Sequence, residues 1–294
     1  MALRRNGNQR AVRLSLVLAM IFRMSTPTMR NTMYNPFKDV VRSVLLWRIW
    51  VRLGIQDIQY RFRRSSVGIA WVFFNLAITI LAIGLIYGTL FGQDLSKFMP
   101  LLTAGLVTWG YLTSSILDGG NAFVASEGYI KQISLPIYVY IFRFFVNISL
   151  IALIQLAVYV IVVLLYQVPV GWGILWVIPG MVLLAMVSLL AIAIFAYLNA
   201  RFRDVSHLTA PVMQVLFYIT PIIWPAEVLR QRGFGLIIDL NPFYHILEVV
   251  RRPLLISEPA DPVDYLVVAL VIVLMGGLAA WLIRFYHRRI VFFL

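Results

Sequence analysis

An all-α membrane protein with six transmembrane helices per subunit is the fold class this sequence predicts, and three observations predict it. The 294-residue chain is 62% hydrophobic with a mean hydropathy of +0.89, whereas soluble domains are nearer half apolar. Six apolar runs approach the roughly 20 residues that a spanning helix needs. The 25 Lys and Arg, which leave a net charge of +13, gather in alternate connections between those runs.

Taken in order, Val67–Phe91 is an uncharged first run, and Met99–Leu117 is a second, stopped by Asp118. Phe144–Tyr166 is the third, with Arg143 at its start, and Trp172–Asn199 the fourth, long enough to tilt. Leu208–Pro225 is shorter and holds Pro211, Pro221 and Pro225. Proline cannot continue a hydrogen-bonded helix undisturbed, so Thr220-Pro221 and Trp224-Pro225 predict a break near one mouth of the membrane path. Tyr265–Ile283 is the last run.

Charge orients the runs. Lys or Arg stands at thirteen positions from Arg4 to Arg64, against Asp39 and Asp57 alone. Lys131 and Arg143 follow the second run, Arg201 and Arg203 the fourth, and Arg284, Arg288 and Arg289 the last. The alternate connections hold Asp94 with Lys97, then no charge, then a mixed stretch from Glu227 to Asp264. Positive charge stays in the cytoplasm, which places both termini there.

Residues 1–40 form a basic extension with no assigned role. Its run Leu14–Phe22 is too short to span and lacks a signal-peptide cleavage site; Met24 and Met33 are alternative starts to Met1. Residues 41–65 differ. From Val41 to Phe62, Val44, Leu45, Ile49, Leu53, Ile55 and Ile58 intersperse with Arg42, Arg48, Arg52 and Asp57. That pattern predicts an amphipathic helix at the cytoplasmic headgroups, ahead of a membrane domain over 66–294.

Several chemistries are missing. There is no cysteine, hence no disulfide or thiol catalysis. None of the three lysines, Lys38, Lys97 and Lys131, sits in a phosphate-cradling G-x-x-x-x-G-K-[ST] loop. Ion-coupled transport usually leaves an ionisable group deep in a span, and these spans hold essentially none. His207, His245 and His287 are scattered, so neither a metal centre nor an enzyme of paired acid–base groups is expected. The basic residues flank apolar runs, which argues against nucleic acid. A membrane subunit without an engine remains, and it must borrow one.

Four motifs carry a resemblance. QYRFRRSSVGIAW (residues 59–71) precedes the first span, NARFRDV (199–205) follows the fourth, and YITPIIWP (218–225) and NPFY (241–244) follow in turn. Their order resembles that of ABC-2 type permeases, most of all the branch that exports O-antigen, capsule and teichoic acid, over residues 40–294. The resemblance implies a homodimer in the bacterial inner membrane, joined to two copies of an ATPase subunit that binds ATP and Mg. It also implies a lipid-linked glycan as substrate, a coupling helix between spans two and three, and two small outer helices before the last span. An ABC-2 exporter of drugs or lipids is the alternative within the family, and a membrane enzyme of glycan assembly the alternative outside it.

Site residues follow. The loop 121–136 is too polar to span and is closed by Pro136; its Glu127, Gly128, Tyr129, Ile130 and Lys131 are the expected ATPase-coupling surface. The outer gate region is expected over 226–260. Arg61, Arg63 and Arg64 hold the preceding helix to anionic headgroups, and their planar forks also suit a lipid pyrophosphate. Phe73, Phe74, Tyr87, Trp109, Tyr111, Phe142, Phe145, Tyr218 and Trp224 are channel-lining candidates for stacking on sugar faces, although aromatic rings also collect at membrane interfaces.

Overall fold

The computed structural model describes residues 36–90 and 92–294. The basic extension up to residue 35 and Phe91, the expected end of the first span, lie outside the described residues. Within them the chain is a bundle of helices: α1 Pro36–Leu45, α2 Trp47–Phe62, α3 Ala70–Leu90, α4 Leu95–Gly120, α5 Glu127–Gln132, α6 Tyr138–Tyr166, α7 Val177–Arg201, α8 Asp204–Ile219, α9 Ala226–Gln231, α10 Gly235–Asp239, α11 Pro242–Ile256, α12 Pro262–Tyr286 and α13 Ile290–Phe293.

Four segments among the described residues are long and apolar enough to cross a membrane: Ala70–Leu90, Tyr138–Tyr166, Trp172–Arg201 and Pro262–Tyr286. The second and fifth expected spans take different forms. Helix α4 has the length, but Thr103, Thr108, Thr113, Ser114 and Ser115 dilute its hydropathy. It is the central helix, packed on α3, α6, α7, α8 and α11. Three of its hydroxyls bond back to the helix: Thr103 Oγ1 donates to the Met99 carbonyl at 2.7 Å, Thr108 Oγ1 to that of Ala104 at 2.9 Å and Ser115 Oγ to that of Tyr111 at 2.7 Å. Ser115 Oγ also meets Ser188 Oγ of α7 at 2.5 Å, a small-residue contact that lets helices approach closely inside a bilayer. The pair Gly119-Gly120 serves the same contact, since a Cβ on Gly119 would lie 2.4 Å from Ile192 Cγ1.

Helix α8 is 16 residues long and ends at Ile219. Pro211 lies inside it without ending it. The chain then runs without helix from Thr220 to Pro225, at the expected proline break. Three helices follow before the last span rather than two, and the third, α11, is 15 residues long. Asn241 caps it by accepting from the Phe243 amide at 3.0 Å, with Pro242 in the first turn where no amide donor is needed.

Two boundaries moved for identifiable reasons. The third long helix begins at Tyr138, six residues before the expected Phe144, so Arg143 lies inside α6. The stretch 41–62 is two helices, broken at Leu46. Its inward face is Trp50, Gly54, Asp57 and Ile58, spaced one and two helical turns apart and laid on α6, while Val44, Leu45 and Ile55 stay exposed.

Candidate functional site

Polar groups concentrate at the two ends of the bundle. One, the basic end, holds α2, α5, the start of α6, the end of α7 and the C-terminal residues. Here Arg61, Arg63 and Arg64 close α2, and with Tyr60 they line a concavity of about 470 Å3. All three guanidinium groups are exposed and make no salt bridge within the described residues. Cations at a helix C-terminus are stabilised by the helix dipole, and three of them around one hollow form an anion-attracting mouth.

The expected coupling segment lies beside it. A single 3-10 turn, Val124–Ser126, leads into α5. Lys131 Nζ meets Glu127 Oε1 at 2.6 Å across one turn, and this lysine holds the Glu127 carboxyl below its usual range. Tyr129 is 45% exposed, a Cβ on Gly128 would meet nothing, and Ile130 turns inward against the core. The segment thus offers a charge pair and an aromatic ring on the surface, anchored from below by one isoleucine.

Between the two sits an ion pair that the sequence did not announce. Arg143 Nε and Nη2 each lie 2.6 Å from an oxygen of Asp57, 86 residues away. The two side chains are only 11% and 26% exposed. Arg143 Nη1 reaches Ser126 Oγ at 3.4 Å, and its guanidinium lies 5.3 Å from the Tyr129 ring centre. Gly54 allows the approach, because a Cβ there would stand 2.9 Å from the Arg143 carbonyl oxygen. Two isolated charges in apolar surroundings, Asp57 and Arg143, were the available signal.

The far end is tied differently. His245 of α11 places Nδ1 2.6 Å from Asp264 Oδ1 and Nε2 3.0 Å from the Asp239 carbonyl. An acceptor faces each ring nitrogen, and the Asp264 hydrogen bond raises the His245 pKa. The other oxygen of Asp264 accepts from the Asp261 amide at 3.1 Å, closing a capping box at the start of α12. Buried Arg251 donates to the Pro221 carbonyl at 2.7 Å and pairs with Glu248. Asn241 donates to Thr220 Oγ1 at 2.9 Å. The break after α8 is therefore held to α11 by two side chains, Arg251 on the Pro221 carbonyl and Asn241 on the Thr220 hydroxyl.

The nine aromatic candidates do not come together within one subunit. Trp109 is 6% exposed, set between Phe217 and Phe243 with ring centres 5.9 and 5.6 Å away. Tyr111 is buried, its hydroxyl 3.1 Å from Ser149 Oγ. Phe142 packs on Trp50 at 5.3 Å, Phe145 on the central core and Phe73 on the cluster around Ile80 and Phe98. Trp224 is half-buried, and Phe74, Tyr87 and Tyr218 are exposed. A groove of about 360 Å3 between α4 and α8 touches Thr113, Ser114 and Gln214 beside Trp109 and Phe217.

Comparison with known proteins adds to this geometry. The family model described as ABC-2 type transporter matches residues 49–255, from α2 through nearly all of α11. The chain is 22% identical over 211 residues to the O-antigen export system permease protein RfbA of Myxococcus xanthus, covering 71% of this chain and 81% of that protein. Two proteins of the same description from Klebsiella pneumoniae are 23% and 24% identical over 198 residues, each alignment covering 67% of this chain and 76% of the relative.

Proposed function

The chain belongs to the ABC-2 type transporter family, and from that premise we propose that it is the transmembrane subunit of an exporter that carries a lipid-linked, O-antigen-like polysaccharide across the bacterial inner membrane. The observation that carries this reading is the family match over residues 49–255; the O-antigen export permeases aligned over two thirds of the chain supply the substrate class.

In this reading two copies pair and two copies of a separate subunit bind ATP with Mg and hydrolyse it. The basic end faces the cytoplasm, both termini lie there, and six crossings are completed by α4 and α8. Helix α8 exposes Leu208, Val212, Val215 and Tyr218, a face suited to a second copy and the glycan path between them, with Phe74 and Tyr87 as further exposed rings. The exposed part of α5, with Glu127, Tyr129 and Lys131, docks on the ATPase. The mouth formed by Arg61, Arg63 and Arg64 attracts headgroups, at about 1 kcal/mol per basic residue near the surface, and receives the pyrophosphate of the carrier lipid.

Deleting the gene should strip the glycan from the cell surface and leave lipid-linked glycan inside; unchanged surface glycan would overturn the reading. Reporters at Lys97 and Gly233 should read as external, and reporters at Lys131 and after Leu294 as cytoplasmic; a cytoplasmic signal at Gly233 would mean that the fifth run re-enters without crossing and would overturn the count of six. Changing Arg61, Arg63 and Arg64 together to lysine separates the two roles of the mouth. Lysine keeps the charge but not the fork, so normal surface glycan would leave headgroup attraction alone.

A further inference from the structure

We infer that Arg143 is a positioning residue that delivers movement of the ATPase-docking segment to the interface helix α2 and its arginine mouth. The inference rests on the exporter reading above and assigns a role that the reading leaves open, namely how docking at α5 reaches the substrate side of the same subunit.

The geometry is that of a shared joint. A guanidinium is planar and presents its donors in a fixed fork. Arg143 uses Nε and Nη2 on the two oxygens of Asp57, and Nη1 on Ser126. The same plane lies 5.3 Å from the Tyr129 ring centre. One rigid group therefore touches α2 on one edge and both halves of the docking segment, the 3-10 turn and α5, on the other. The pair spans 86 residues of sequence, so it is no local helix contact. With side-chain exposures of 11% and 26%, it is shielded far more than an ordinary surface pair.

What lies downstream of Asp57 gives the joint its purpose. Arg61 stands four residues on, one helical turn along α2, and Arg63 and Arg64 follow at the end of the helix. Asn147, one turn beyond Arg143, donates to the Gly54 carbonyl at 3.3 Å. Helix α2 is thus pinned to α6 at Gly54 and Asp57, with the arginine mouth projecting past the pin. A displacement of Ser126 and Tyr129 on docking or release turns the Arg143 plane, and Asp57 passes the turn to the mouth.

The test uses the full chain assembled with its ATPase subunit, reading three quantities: assembled complex in membranes, ATP hydrolysis, and surface glycan per assembled complex. Arg143→Lys keeps the charge and loses the fork; Asp57→Asn keeps the shape and loses the charge. Both should assemble and hydrolyse ATP while surface glycan per complex falls about tenfold, the scale of one lost charge-assisted hydrogen bond. The exchange of Asp57→Arg with Arg143→Asp separates positioning from support. It can restore the α2–α6 attraction, but an aspartate at 143 reaches neither Ser126 nor the Tyr129 ring. Assembly should therefore recover and export should not.

Full export from the exchanged pair would overturn the inference, because the pair would then only hold helices together. Wild-type glycan per complex in Arg143→Lys and Asp57→Asn would overturn it equally, whatever the abundance of the complex. Failure of the exporter reading looks different: the unmodified chain itself would show no ATPase partner and no effect on surface glycan.

Discussion

The basic end and the far end of this subunit both bury charge, but their ties cover different spans of sequence. At the far end, Asp264 serves His245 and the Asp261 amide, Arg251 serves Glu248 and the Pro221 carbonyl, and Asn241 serves the Phe243 amide and Thr220. Each side chain has two partners, most of them within thirty residues of sequence. At the basic end the ties are long, Asp57–Arg143 spanning 86 residues, Tyr197–His287 90 and Asn147–Gly54 93, and the nearby Arg61, Arg63 and Arg64 carry no salt bridge among the described residues. Short ties within one stretch brace the break after α8. Long ties between distant helices, one of them beside exposed cations, make a joint. The difference teaches where motion is passed on: a stretch tied to itself keeps its own shape, whereas a tie between distant helices carries the movement of one to the other.

The comparison breaks most visibly at Arg251. Its side chain is 4% exposed and that of Glu248 14%, so Arg251→Leu strands a carboxylate and the Pro221 carbonyl. Loss of one partner of a buried pair costs about 3–5 kcal/mol, to be read as a lower apparent melting temperature of the purified subunit. Replacing both residues by leucine should recover most of that loss, since the uncompensated charge is then gone.

Close packing gives the next effects. A Cβ on Gly180 would stand 2.1 Å from the Val249 carbonyl oxygen, backbone against backbone, whereas one on Gly54 would stand 2.9 Å from that of Arg143. Overpacking costs about 1–3 kcal/mol, so Gly180→Ala should fall at the upper end or beyond and Gly54→Ala at the lower. Thermal unfolding of the two variants side by side checks the order. Equal losses would mean that the two ends are held with equal rigidity.

A pH series sharpens the contrast at the far end. The folded-state pKa of His245 is raised, chiefly by the Asp264 hydrogen bond. Its contribution to stability is therefore complete below the unfolded value of about 6.5 and is lost as pH rises through the folded value. The Asp264 carboxylate, the Asp239 carbonyl, and the Asp239 carboxylate that pairs with Arg230 surround the ring. Melting temperature should decline on the alkaline side for the wild type and decline less for His245→Gln. A parallel slope in both would place the titration elsewhere.

The smallest effect on stability belongs to the surface of α5. Glu127 and Lys131 are well exposed at 41% and 44%, and surface pairs contribute little. Glu127→Ala and Lys131→Ala should leave the melting temperature unchanged, so any loss of export in them reports docking. A measurable drop in melting temperature would instead make the pair structural.

The legibility of these features in the sequence varied for physical reasons. Apolar runs announced α3, α6, α7 and α12, because the requirement for roughly 20 apolar residues is local and one-dimensional. The end of α8 was visible in Thr220-Pro221, since a proline lacks its donor whatever surrounds it. Helix α4 was harder, because its hydroxyls make it read as a weak span, while in the bundle those of Thr103, Thr108 and Ser115 bond back to its own carbonyls. Arg143 was assigned to a span entrance on charge alone. Its place inside α6 depends on Asp57, and no window of sequence contains both.

By itself the sequence determined that this is a helical membrane chain with a basic end, a polar segment bounded by Asn121 and Pro136, and a proline-broken fifth run. Those properties follow from hydropathy, proline geometry and charge counting, which need no knowledge of neighbours. Only the tertiary structure decided that Asp57 meets Arg143, that His245 meets Asp264, that Trp109 and Tyr111 are buried while Tyr218 is exposed, and that α2 faces α6 through Trp50, Gly54, Asp57 and Ile58. The reason is that an ion pair or a buried ring is fixed by how two helices cross, and the crossing is set by packing of residues far apart in the chain. In the sequence every arginine carries the same charge; in the fold one of them is a joint and three of them are a mouth.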